Sequence, residues 1–173
     1  MRNKFDEQLH RLEEQLTNMG ELCETAIAKA TQALKDGNME QAKLIIEEDE
    51  EIDQLEKDIE RLCLKLLLQQ QPVAKDLRRI SAALKMITDM ERIGDQTSDI
   101  AEIILSSKGV AATDEIHVIG TMASEVSKMV RNSVTAYVNR DLELAQSVMR
   151  ADDEIDQYFE EVRDEMIDFI KEE

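Results

Sequence analysis

The feature that most limits the fold of this chain is the scarcity of residues that end helices. One proline and five glycines occur in 173 residues, and long stretches of strong helix formers lie between them. Asp36-Gly37 is typical of a helix end, Gln71-Pro72 of a break, and Asn38 and Asp141 of helix N-caps. These signals predict helices at 3–35, 39–70, 73–105, 114–138 and 142–173, with Thr113 or Asp114 as the cap of the fourth. The pattern indicates an all-α fold of long antiparallel hairpins.

The charge of the chain excludes several classes of function. Lys and Arg number 21 against 39 Asp and Glu, which gives a net charge of −18. Nucleic acids and anionic membranes require positive potential, so we expect neither as a direct ligand. No apolar run approaches the roughly 20 residues of a membrane span, and the first residues lack the apolar core of a signal peptide. We therefore predict a cytoplasmic protein that reaches a membrane only through a partner.

An internal repeat relates two parts of the chain. Residues 49–54 (DEEIDQ) and 152–157 (DDEIDQ) match at an offset of 103 residues, and the predicted turns at 36–38 and 139–141 align at the same offset. The repeat predicts two units, 1–107 with three helices and 108–173 with only two. We expect the incomplete second unit to expose apolar surface and the protein to self-associate.

Two carboxylates fall beside the predicted apolar face of the third helix. That face is formed by Leu77, Ile80, Leu84 and Ile87 at about 100° per residue. Glu91 and Asp95 lie within this face or on its edge. Burying an unpaired carboxylate costs several kcal/mol, so these two side chains must be protonated, paired with a cation or bound to a metal.

Further acidic pairs border the apolar stripes of the second and fifth helices. Asp49 and Asp53 lie along one margin of the second helix, and Asp152 and Asp156 hold the equivalent margin of the fifth. Neighbouring helices that each present such a pair can surround a cation with oxygen ligands, which suit Mg²⁺, Mn²⁺, Fe or Ca²⁺ better than zinc. The alternative is that these acids pair with nearby Lys and Arg or face water.

The sequence at 90–95 (MERIGD) and 99–102 (DIAE), together with the repeated acidic motifs, resembles the PhoU family of phosphate-signalling regulators. The resemblance implies tandem three-helix bundles, with only two helices of the second bundle present here. It also implies metal clusters, of iron or zinc and alternatively manganese or magnesium. The implied ligands are Asp49, Asp53, Glu91, Asp95, Asp152 and Asp156. Gln96 stands where the family often has His, and counterparts of Glu91 and Asp95 in the second unit would fall beyond residue 173, which leaves that site half built.

The resemblance further implies a role without catalysis. PhoU-like proteins act as adaptors between the ATPase of the phosphate ABC transporter and a sensor histidine kinase, and they restrain uptake and starvation signalling when phosphate is plentiful. We therefore expect a metal-binding negative regulator of phosphate transport, assembled as a homodimer or another homo-oligomer.

Two alternatives stay open at the level of sequence. A carboxylate-bridged di-iron enzyme needs two Glu-x-x-His motifs. Only Glu7 with His10 and, less well, the segment 114–117 (DEIH) approach that pattern. The spacing of the isoleucines in the second helix also suits a coiled-coil scaffold without metal. Cys23 and Cys63 fall among apolar positions and are predicted to be core thiols.

Overall fold

A computed structural model describes residues 2–69, 72–109 and 118–172 of the chain. The described residues form five helices: α1 (Arg2–Asp36), α2 (Met39–Gln69), α3 (Ala74–Ser106), α4 (Val118–Asn139) and α5 (Leu142–Glu172). The all-α fold predicted from the sequence is confirmed.

The turns at two of the helix junctions form through the predicted residues. Gly37 ends α1 with a φ of 62°, a left-handed conformation that costs glycine little. The Gln41 amide donates to Asn38 Oδ1 at 3.0 Å, and the Leu144 amide donates to Asp141 Oδ1 at 2.9 Å. Both N-caps are therefore confirmed. The predicted cap at Thr113 or Asp114 lies outside the described residues.

Helices α1, α2 and α3 pack against one another around a continuous apolar core. Their most deeply buried large side chains are Leu12, Leu16, Met19, Ile59, Leu66, Ile80 and Ile87. A smaller cluster, which includes Ala33, Ile45 and Ile104, continues the core towards the α1–α2 turn. Cys23 and Cys63 are buried within the main core, as predicted.

The α4–α5 hairpin joins the other three helices through α4. Val130 and Val134 of α4 belong to the main core, and the Arg131 Nε donates to Glu24 of α1 at 3.0 Å. Among described residues, the Cα atoms of α5 come within 8 Å of those of α4 alone. The division into units at 1–107 and 108–173 stays a prediction.

No helix in the described ranges combines the length and the apolar content needed to cross a membrane.

Candidate metal centre

Helix α2 carries its acidic residues on the margin of a buried stripe, as the sequence predicted. Ile45, Ile52 and Ile59 are almost fully buried and recur every seven residues, so one side of α2 faces the core. Asp49 and Asp53 lie together on one margin of this line and are half-buried. They are four residues apart, so both side chains lie on the same face of α2, next to the buried line and beside α3.

Helix α3 is rotated from the orientation that the sequence suggested. Its buried line runs through Ile80, Ala83, Ile87, Met90, Gly94, Thr97, Ala101 and Ile104, whereas Leu77 is 48% exposed. Small residues such as Ala83 and Gly94 form part of the line and let α3 approach its neighbours, which a search for large apolar side chains could not foresee.

This rotation corrects the expectation that Glu91 and Asp95 both lie in the apolar seam. Glu91 is half-buried and Asp95 is exposed, because each stands one residue past a position of the buried line. Burial alone therefore does not force Asp95 to take a partner. The metal-site prediction for Asp95 now depends on its closeness to other carboxylates.

Three of the predicted ligands converge between α2 and α3. Asp49, Asp53 and Asp95 each offer an oxygen, and these oxygens lie within 4.8 Å of one another. Within the described ranges this is the one group of three or more acidic, His or Cys side chains close enough to share an ion. We call these three residues the acidic cluster. Its oxygens are of the type that Mg²⁺, Mn²⁺ and iron accept.

Two oxygens of the acidic cluster are buried without compensation. Asp49 Oδ1 and Asp53 Oδ1 are shielded from solvent and accept no hydrogen bond. The ion pairs of the described residues do not include any member of the cluster, so the alternative in which Lys or Arg neutralises these acids is not supported there. Buried acceptors without partners are rare in folded proteins, and a cation would satisfy both.

Burial, reinforced by neighbouring negative charges, makes Asp49 hard to ionise. Burial, followed by repulsion from Asp53 and Asp95, raises the pKa of Asp49 to about 6, against an opposing effect of the nearby Ser98 hydroxyl. A divalent cation would reverse this electrostatic penalty, because it favours the charged form of every carboxylate around it.

Two glutamates extend the negative field by one helical turn. Burial and then Asp95 and Glu56 raise the pKa of Glu91. Burial and then Glu60 and Asp53 raise the pKa of Glu56. Glu91 is thus electrostatically coupled to the acidic cluster without belonging to its closest group, and its role as a ligand stays a prediction.

The remaining predicted ligands lie elsewhere. Asp152 borders a groove of about 380 Å³ between α3, α4 and α5, opposite Asp89 and the apolar side chains of Met86 and Met90. Asp156 is exposed on α5. The structure does not bring this pair to the acidic cluster, and a second metal site at Asp152 and Asp156 stays a prediction.

The histidine of the di-iron alternative lies away from the acidic cluster. The His10 side chain is 72% exposed and lies 3.7 Å from Glu13 and 3.3 Å from Glu14 on its own helix. His117 lies outside the described residues. The carboxylate–histidine arrangement of a di-iron enzyme therefore finds no support from His10.

Gly94 is the residue of this region whose role the sequence did not reveal. It is buried at the contact between α3 and α2, directly against Asp49. A glycine inside a helix is only weak evidence that another element packs closely there. The sequence does not show which side chain would make that contact.

Comparison with known proteins agrees with this architecture. The PhoU domain family matches residues 16–104 and 119–173. The chain belongs to the PhoU family. The resemblance stated from the MERIGD segment and the acidic repeat is therefore confirmed.

Relatives of the PhoU family match the chain along nearly its whole length. It is 35% identical over 172 residues to the phosphate-specific transport system accessory protein PhoU homolog of Clostridium acetobutylicum, covering 99% of this chain and 78% of the relative. The homolog of the same name from Aquifex aeolicus is 36% identical over 170 residues, covering 98% and 76%. These names describe accessory proteins and not enzymes, in agreement with the prediction for this chain.

Solved PhoU structures share the fold. PhoU from Pseudomonas aeruginosa superposes with a TM-score of 0.89 at 30% identity, covering 98% of this chain and 81% of that protein. The phosphate transport system regulatory protein PhoU from Streptococcus pneumoniae gives a TM-score of 0.86, also at 30% identity, with 98% and 80% covered. The helical arrangement described above is therefore that of the PhoU family.

Proposed function

We propose that this protein is a metal-dependent adaptor that negatively regulates phosphate uptake and phosphate-starvation signalling. Membership of the PhoU family, whose relatives are named as accessory proteins of the phosphate-specific transport system, supports the transport role. The observation that carries the metal dependence is the convergence of Asp49, Asp53 and Asp95 with two buried, unpartnered oxygens.

The acidic cluster fits a hard divalent cation. Asp49 and Asp53 would approach the ion from α2, and Asp95 would approach it from α3, so the ion would cross-link the two helices. Iron, manganese and magnesium accept such an all-oxygen set, whereas zinc prefers His or Cys ligands. Glu91 on α3, which shares the negative field of the cluster, is the further carboxylate that would enlarge the site. Asp152 and Asp156 would contribute to a separate centre.

The proposed partners are the ATPase of the phosphate ABC transporter and a sensor histidine kinase. An excess of 18 negative charges gives the protein a field that would steer it towards a basic docking surface. The same field disfavours nucleic acid, and the protein would act in the cytoplasm without inserting into the membrane itself.

Self-association is part of the proposal. Helix α5 buries none of its described side chains fully, and it exposes large apolar residues over most of its length. The most exposed of these are Leu142, Met149, Phe159 and Ile170. Apolar surface of this extent on one helix is typical of a surface covered by another protein chain, and we propose a second copy of this chain.

Metal content and metal-dependent stabilisation test the function at the acidic cluster. Wild-type protein, stripped and then incubated with Mn²⁺ or anaerobic Fe²⁺, is expected to retain the ion on dialysis and to unfold at a higher temperature. The Asp49→Asn, Asp53→Asn double variant is expected to lose both effects. The control is Glu50→Gln with Glu51→Gln, which removes the same charge from exposed positions of the same helix.

Two results would contradict the proposal. Equal ion retention by the cluster variant and the control would show that any bound metal lies away from Asp49 and Asp53. Affinity capture from phosphate-replete cells that recovers neither the transporter ATPase nor the kinase would contradict the adaptor role and favour a scaffold.

A further inference from the structure

Gly94 occupies the point at which α3 comes closest to the carboxylate of Asp49. A Cβ atom at residue 94 would lie 2.5 Å from Asp49 Oδ1, and 3.2 and 3.3 Å from Cδ1 and Cγ2 of Ile52. A carbon atom and an oxygen atom that are not bonded cannot approach to 2.5 Å without displacement of one of them. Asp49 Oδ1 therefore uses space that a side chain at residue 94 would fill.

Asp49 Oδ1 is packed in this place without a hydrogen bond of its own, although the Ser98 hydroxyl acts on the same carboxyl group. The atom is buried and accepts no hydrogen bond. The bare α-carbon of Gly94 thus forms one wall of the space in which the carboxylate sits, and the buried side chain of Ile52 forms another.

We propose that Gly94 is a positioning residue for the metal site, which it serves by admitting the Asp49 carboxylate against the backbone of α3. This inference rests on the proposed metal-binding function. A methyl group at residue 94 would displace Asp49, whose short side chain can rotate more easily than two packed helices can separate. The displaced side chain would then leave the group in which Asp49, Asp53 and Asp95 each offer an oxygen within 4.8 Å of the others.

The effect on metal binding is tested by titrating metal-free protein with Mn²⁺ in a calorimeter. Gly94→Ala is expected to weaken binding by about 10- to 100-fold, the usual range for changes beside a metal ligand. Gly20→Ala is the matched control. A Cβ at Gly20 would also enter a tight helix contact, 3.0 Å from Val134 Cγ2, but no carboxylate of the cluster is near, so affinity is expected to stay at the wild-type value. Wild-type affinity in Gly94→Ala would overturn the inference.

A double-mutant cycle on the metal-free protein tests whether Gly94 acts through Asp49. Asp49→Ala removes the oxygen that the new methyl group would meet. Gly94→Ala is therefore expected to lower the melting temperature more in the wild-type background than in the Asp49→Ala background. If Gly94→Ala alone does not fold, recovery of folding in the double variant reports the same coupling.

The outcomes separate this inference from the proposed function. Equal effects of Gly94→Ala in both backgrounds would overturn the positioning role, whatever the metal content. Failure of the wild-type protein to bind any ion would overturn the metal-dependent function instead. The double-mutant cycle on the metal-free protein would still show whether Gly94 positions Asp49.

Discussion

The Tyr137 hydroxyl of α4 donates a hydrogen bond to the main-chain carbonyl of Arg79 in α3, at 3.0 Å. The bond is partly buried and connects residues 58 positions apart in the chain. It therefore ties the α4–α5 hairpin to the three-helix core by a polar contact, close to the ion pair between Arg79 and Glu13.

Removing this hydrogen bond is expected to destabilise the protein modestly. Tyr137→Phe keeps the ring and loses the hydroxyl, so the free energy of unfolding should fall by about 1 kcal/mol. Urea denaturation followed by circular dichroism measures the change. Tyr158→Phe on α5 is the control and should leave the midpoint unchanged. An equal loss in both variants would contradict the role given to Tyr137.

The ion pair between Arg79 and Glu13 is expected to matter more than pairs at the surface. Their side chains are 14% and 17% exposed, and removing one partner would leave a charge largely shielded from water. Glu13→Ala should therefore cost about 3 kcal/mol of unfolding free energy. Glu48→Ala breaks the pair with Lys29, whose side chain is 34% exposed against 47% for Glu48, and should cost less than about 1 kcal/mol. Similar losses in the two variants would show that burial of the Arg79 pair has no consequence.

The metal-free protein is expected to lose stability as the pH rises from about 4 to about 6. Burial and neighbouring carboxylates raise the pKa of Asp49 from 3.8 to about 6, so the folded state binds more protons than the unfolded state within this window. Stability falls with pH wherever the folded state holds the extra proton. Asp49→Asn should flatten this part of the profile, as measured by thermal unfolding in chelator-treated buffers. If the stability of Asp49→Asn depended on pH as steeply as that of the wild type, other acidic residues would be responsible for the pH dependence.

Apolar residues on the outer surface of α5 are expected to drive self-association. Phe159→Glu combined with Ile170→Glu places charge at positions that are 61% and 68% exposed, so the fold of the monomer should be little affected. Analytical ultracentrifugation should show a shift towards the monomer. Leu68→Glu, at an 81% exposed position of α2, is the control and should sediment like the wild type. A wild-type protein that stays monomeric at high concentration would contradict the prediction.

The local signals in the sequence predicted the helices and their junctions well. Asn38, Asp141 and Gly37 act through the atoms of their own turn, so their roles depend on neighbours in the chain and can be read without a fold. The same holds for the stripe of Ile45, Ile52 and Ile59, whose seven-residue spacing fixes which side of α2 is buried.

The parts that the sequence did not predict depend on how one helix meets another. Asp95 is exposed because α3 is rotated, and the small residues Ala83 and Gly94 permit this rotation. The pattern of large apolar side chains does not predict the rotation. The closeness of Gly94 to Asp49 joins residues 45 positions apart. Asp152 and Asp156 reproduce the motif of Asp49 and Asp53. Within the described residues, however, α5 packs on α4 and is separated from α3 by a groove, so the repeated motif does not reproduce the cluster.

Helix α5 is long, and among the described helices it packs against α4 alone. Its 31 residues extend for roughly 46 Å at the rise of an α-helix, and the short turn at Arg140, where φ is 58°, joins it to α4. A tilt of about 10° at that turn would carry the distal end through roughly 8 Å over this length. A small change in the orientation of α5 on α4 would therefore move a partner bound to the far end of α5 by a large distance.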